Sequence, residues 1–104
     1  MAHSYEKEYK TLIDGATGPT TSSWEAAWYF QDASFHIIGM GEQSIVRLYA
    51  SNEAKPSKDR AAQIGQDVIK DDIVVMLESC RMVAAELVQN PDGNPITVIY
   101  GGRR

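Results

Sequence analysis

From Ser57 to Gln89 the chain runs 33 residues in which only Gly65 interrupts a helix-compatible composition. That stretch constrains the fold more than any other, because Ala62, Ile69, Ile73, Met76, Leu77, Cys80, Val83, Ala84 and Leu87 follow the three-four spacing of one helical face. A straight helix of this length would span about 50 Å at about 1.5 Å per residue. A compact domain of about 100 residues is only roughly 34 Å across. The expectation is therefore a helix that kinks near Lys70 to Asp72, or one whose overhang another chain covers. Asp71 or Asp72 can cap a second helix at the break. Ile73 to Leu77 is apolar on every side, which demands burial in a helix, and the same β-branched run also fits a short strand between two helices.

The rest of the chain reads as shorter pieces. Tyr5, Tyr9, Leu12 and Ile13 share one helical face, with Ser4 as a cap and Gly15 as a stop. Gly15 to Ser23 collects Gly, Pro, Thr and Ser and reads as a loop. Ser22 and Glu25 have capping-box spacing, which favours a helix from Trp24 to about Asp32 over a strand of alternating aromatics. Ser34 to Gly39 and Ser44 to Ala50 are rich in β-branched and aromatic residues with Gly39 and Gly41 between them, so a β-hairpin is expected. In its second strand Val46, Leu48 and Ala50 face one way, and Ile45, Arg47 and Tyr49 the other. Asn90-Pro91 and Asp92-Gly93 turn the chain into a last strand, Ile96 to Tyr100, and residues 101–104 are expected as a flexible tail.

The order α-α-β-β-α-β gives an α+β fold: one domain over residues 1–104, with a mainly antiparallel sheet of about three strands under the long helix. A length of 104 residues with 43% hydrophobic content suits one core. So narrow a sheet leaves two edges open to a partner strand.

Charge and cysteine content bound the function classes. A formal charge of -4 disfavours nucleic acid and anionic membrane surfaces. The single cysteine, Cys80, fits a reducing compartment, and with no apolar run long enough to span a bilayer the expectation is a cytoplasmic protein off the membrane.

No catalytic or cofactor motif stands out. Cys80 lies in the apolar stripe, so a dyad with His36 is the minor reading beside a core cysteine. His3, His36 and Cys80 are scattered, which argues against a zinc site. Asp67, Asp71 and Glu78 align on one face of the expected helix and could hold a cation or meet a basic partner, although a solvated face explains them as simply. Gly15 to Ser23 lacks the lysine and the preceding strand of a phosphate loop.

Trp24, Trp28, Tyr29 and Phe30 form the densest aromatic cluster, read either as core or as an interface anchor. With Ile69, Ile73, Met76 and Leu77 they are the candidate interface residues. His36, Tyr49, Asp67, Asp71 and Glu78 are the weaker ligand candidates. The expected function is a non-enzymatic adaptor, inhibitor or regulator, acting as a homodimer or small oligomer and docking on a protein partner. The alternative is a small-ligand or nucleotide binder, possible as an enzyme, with a pocket near Trp24 to Phe30 and His36.

Overall fold

The computed structural model describes residues 7–27, 30–76 and 79–103. Among these residues there is no α-helix; nine strands and one short 3-10 turn, Lys58–Arg60, make up the regular structure. The strands are β1 (Lys7–Ala16), β2 (Thr20–Thr21), β3 (Glu25–Ala26), β4 (Gln31–Ile38), β5 (Ile45–Ser51), β6 (Ala62–Gln63), β7 (Asp72–Val75), β8 (Met82–Gln89) and β9 (Ile96–Arg103).

They form two antiparallel sheets. Sheet A has the order β1-β9-β4-β7, and sheet B the order β2-β8-β5-β6, with β3 pairing on β8 beyond β2 as a second piece of the same edge. The chain crosses between the sheets at almost every connection; only β2 to β3 and β5 to β6 stay in one sheet. Successive strands therefore lie on opposite sides of one core. The alternation of each strand points one set of side chains into the gap: Phe35 and Ile37 from β4, Val98 and Tyr100 from β9, Val46 and Leu48 from β5, and Val83, Ala85 and Leu87 from β8. Tyr100 holds the centre, with Phe30 edge-on at 5.4 Å and 78° and Phe35 tilted at 4.8 Å. Removing a fully buried side chain such as Phe35 from water contributes about 1.5–3 kcal/mol.

One end of the sandwich is tied by a polar hub. Asn90 is buried, accepts a hydrogen bond from the Ser44 hydroxyl at 2.9 Å, and donates its amide to the carbonyls of Thr17 (3.1 Å) and Asn94 (2.7 Å). Ser44 Oγ in turn accepts the Gly41 N–H at 3.0 Å. Three inter-strand loops are thus held by one side chain. Gly39, at φ +92°, turns the chain out of β4 where a Cβ would overlap the Pro95 carbonyl oxygen, so a side chain is excluded on two counts.

These facts correct the α+β expectation. The long helix of 57–89 is the 3-10 turn followed by β6, β7 and β8. The period misled because β8 is buried on both faces: Val83, Ala85 and Leu87 point inward, while Ala84, opposite Tyr49 in the ladder, is 1% exposed on the other side. The expected first helix is β1. A register irregularity between Thr11 and Ile13 lets the consecutive residues Leu12 and Ile13 both pack on the core, which imitates helical spacing. In place of the helix of 24–32 stand β3 and the start of β4, with the Phe30 N–H donating to the Ala27 carbonyl (3.1 Å); Trp28 and Tyr29 lie outside the described residues.

The strands expected at 34–39 and 44–50 exist as β4 and β5, but they do not pair as a hairpin; β4 lies in sheet A and β5 in sheet B. Gly101 and Gly102, placed by the sequence in a tail, continue β9. Gly101 faces Tyr9 on one side and Ser34 on the other, and the Tyr9 ring lies against the space a Cβ would take.

Candidate functional site

Each sheet has two edges, and three of the four are guarded. β1 is charged, with Lys7, Glu8, Lys10 and Asp14, and is broken by two register shifts. The β2/β3 edge is interrupted at residues 22–24, where Ser22 bonds Ala85 twice: its N–H donates to the Ala85 carbonyl (2.8 Å), and its hydroxyl oxygen accepts the Ala85 N–H (2.9 Å). β6 is two residues long. Beyond it the Ile64 N–H donates to the Leu48 carbonyl (2.7 Å) and Val68 exchanges two hydrogen bonds with Val46 (2.8 and 3.0 Å), so the flank of β5 is covered.

β7 differs from these. Among the described residues it pairs only with β4, and two of its four side chains, Ile73 and Val75, are each 58% exposed. The Met76 N–H donates to the Ala33 carbonyl at 2.9 Å. Hydrogen-bonding direction alternates along an antiparallel strand, so Val74 and Asp72 also turn their backbone groups toward β4, while Ile73 and Val75 turn theirs to the free side. The outward Ile73 N–H is met by the Asp72 carboxylate at 2.8 Å.

The outer face of sheet A continues this apolar edge. The register sets Tyr9, Gly101, Ser34 and Val75 in one row across the sheet, and Thr11, Ile99, His36 and Ile73 in the next. Tyr9 is 67% exposed and Ile38 is exposed as well. His36 therefore stands between two isoleucines on an open face.

The outer face of sheet B is the opposite in character, because its charges are already matched. Arg47 makes a two-pronged contact with Asp67 (2.9 and 3.3 Å), which also accepts from the Gln63 amide at 2.7 Å. The hydrogen bonds from Arg47 and Gln63 hold the Asp67 carboxyl below its usual range. Tyr49 donates its hydroxyl to Glu86 (2.7 Å) and Lys58 donates to the other Glu86 oxygen (2.8 Å). Burial acts to raise the Glu86 carboxyl, but the bonds from Lys58 and Tyr49 outweigh it and leave it lowered. The Tyr49 hydroxyl is raised, first by burial and then by its bond to Glu86.

Among the described residues a gap remains between the β6 and β7 edges. A cleft of about 750 Å3 there is walled by Ala50, Ile64, Val74, Met76 and Cys80. Burial pushes the Cys80 thiol up, away from the thiolate form, and its Sγ lies 3.5 Å from the Met82 carbonyl. A neighbouring cavity of about 490 Å3, lined in part by Ala27, Phe30 and Tyr100, shares Met76 and Cys80 with it.

The residues singled out in the sequence are scattered by this fold. Ile69 (63% exposed) and Ile73 are on the surface, Met76 packs partly on the core, Phe30 is buried in it, and Trp24 is half-buried beside the β2/β3 edge. Trp28, Tyr29, Leu77 and Glu78 lie outside the described residues. Of the acidic trio, Asp67 binds Arg47, and Asp71 accepts the Met40 N–H at 2.7 Å. Among the described residues no group of three or more His, Cys, Asp or Glu side chains is placed to hold a metal, and no helix is long and apolar enough to cross a membrane. Val75 was missed by the sequence reading. Its signal was the β-branched run Ile73-Val74-Val75, which fits a strand, but only the structure shows that strand to lie on an exposed edge.

Fold and surface together define a two-sheet antiparallel β-sandwich with one unguarded edge among the described residues. No family model matches the sequence, and neither does any curated protein. The fold is similar to the crystal structure of the SPBc2 prophage-derived protein YomS, with a TM-score of 0.72 and 17% identity over 100% of this chain and 98% of that one.

Proposed function

We propose that this protein is a non-enzymatic interaction module, an adaptor, inhibitor or regulator, that binds another protein through β7 and the adjoining outer face of sheet A. The observation that carries the reading is the exposure of Ile73 and Val75 on a strand whose alternate backbone groups face outward. An added strand gains main-chain hydrogen bonds there and two apolar side chains to pack against. A reducing, cytoplasmic setting fits the lone half-buried Cys80.

The test is a pull-down from the native host with the wild type and with Ile73→Lys/Val75→Lys, since edge lysines block strand addition. A partner retained by the wild type and lost by the variant supports the reading; equal retention contradicts it.

The cleft favours a second reading, a small apolar ligand held between Val74, Met76 and Ile64. A thermal-shift screen against metabolites and nucleotides tests it, because a ligand that binds only the folded state raises the melting temperature.

A further inference from the structure

We infer that the strand received by β7 is the β7 of a second copy, paired antiparallel about a two-fold axis at Val74, so that two sheets A join into one eight-stranded sheet. This rests on β7 being the working edge and goes further by naming its occupant.

The edge is self-complementary. Two antiparallel copies can exchange narrow hydrogen-bond pairs only between residues whose backbone groups both point outward, and on β7 those are Ile73 and Val75. Centring the axis on Val74 sets Ile73 of one copy opposite Val75 of the other, twice, and each pair exchanges both of its bonds. The same register places Ile73 against Val75 on the outer face, where both are now largely exposed, and joins two β-branched pairs that stabilise a ladder. A shift by one residue would oppose outward groups to inward ones and lose every bond.

A four-residue ladder alone falls short of the roughly 800 Å2 per partner that a stable interface buries. The cleft supplies further area. It opens on the same side of the sandwich as β7, so joining the β7 edges brings the Val74, Met76 and Ile64 walls of the two copies toward each other. One occupant thus accounts for both the unguarded edge and the open side beside it. No other edge offers this match: β1 is irregular, the β2/β3 edge is interrupted, and β6 is too short.

The experiment combines sedimentation equilibrium with register-specific cross-linking. Wild-type protein is expected to pass from monomer to dimer between low and high micromolar concentration. Ile73→Lys/Val75→Lys, whose circular dichroism confirms the fold, should weaken the dimer at least tenfold, while Tyr9→Lys at the far edge should not. In a Cys80→Ser background, Val74→Cys should oxidise to a disulfide-linked dimer, because the two positions face each other across the axis at a Cα separation of about 4.5 Å, within disulfide reach. Ile73→Cys should not cross-link, because its own copy lies two residues out of register. A wild type that stays monomeric, a dimer that survives the lysines, or equal cross-linking at 73 and 74 overturns the inference. A monomer that still loses its host partner with the lysine variant overturns only the second copy; loss of neither overturns the β7 surface itself.

Discussion

The Met76 N–H donates to the Ala33 carbonyl at 2.9 Å, and this one bond sets which way every backbone group of β7 points. By alternation from it, Val74 is tied inward while Ile73 and Val75 face out. The free edge is thus a consequence of register.

Asp72 then becomes a regulator of that edge. Its carboxylate occupies the outward Ile73 N–H at 2.8 Å and carries charge to the seam, both of which oppose an incoming strand. Asp72→Ala should tighten dimerisation severalfold in sedimentation. A weaker dimer would show that Asp72 assists pairing.

Ile73→Asp separates this fold from a helical one. In a buried helical girdle the substitution would unfold the chain; on the exposed β7 it should change stability by no more than about 0.5 kcal/mol. Phe35→Ala, by contrast, should cost about 3–5 kcal/mol, since Phe35 is fully buried against Tyr100. Urea denaturation of both variants decides the matter.

Asn90→Ala should be costly for a loop residue, because Asn90 is buried. It strips partners from the Ser44 hydroxyl and from the Thr17 and Asn94 carbonyls at once, at a cost of about 2–4 kcal/mol. A calorimetric melting temperature close to wild type would show that water replaces the hub.

Acid should destabilise the protein through sheet B. Asp67 and Glu86 both sit below their unfolded values, so their contribution is complete above the ordinary carboxylate range near pH 4–4.5 and fades as pH falls through the lower folded values. Tyr49 and Lys58 are raised, so theirs is complete below about pH 10 and is lost as pH rises through the folded values. Denaturation midpoints from pH 2 to 7 should fall on the acid side, and Glu86→Gln should flatten that fall. An unchanged slope would contradict the assignment.

Much of the strand content was legible and little of its arrangement. Ile96 to Tyr100 and the alternation of Val46 and Leu48 read as strands because buried residues alternate with partly exposed ones over 45–48 and 96–100. Val83 to Leu87 did not, because burial of Ala84 beside Tyr49 erased the period of two. The irregularity beside Leu12 and Ile13 had the same effect in β1. Pairing was hidden for a different reason: adjacent strands such as β4 and β5 cross the core, so turn residues at Gly39 and Gly41 marked a crossover and imitated a hairpin. The surface was partly legible. Ile69 and Ile73 stood out as apolar residues needing cover, but the reason offered was a projecting helix, and only the register shows Ile73 and Val75 as one edge.

Residue-resolved amide hydrogen exchange of β7 tests the central claim most directly. In dilute protein the Val74 and Met76 amides should exchange slowly and the Val75 amide fast; at high micromolar concentration Val75 and Ile73 should both become protected. A Val75 amide protected in dilute protein, or one that stays fast at every concentration and with the host partner bound, would contradict β7 as the binding edge.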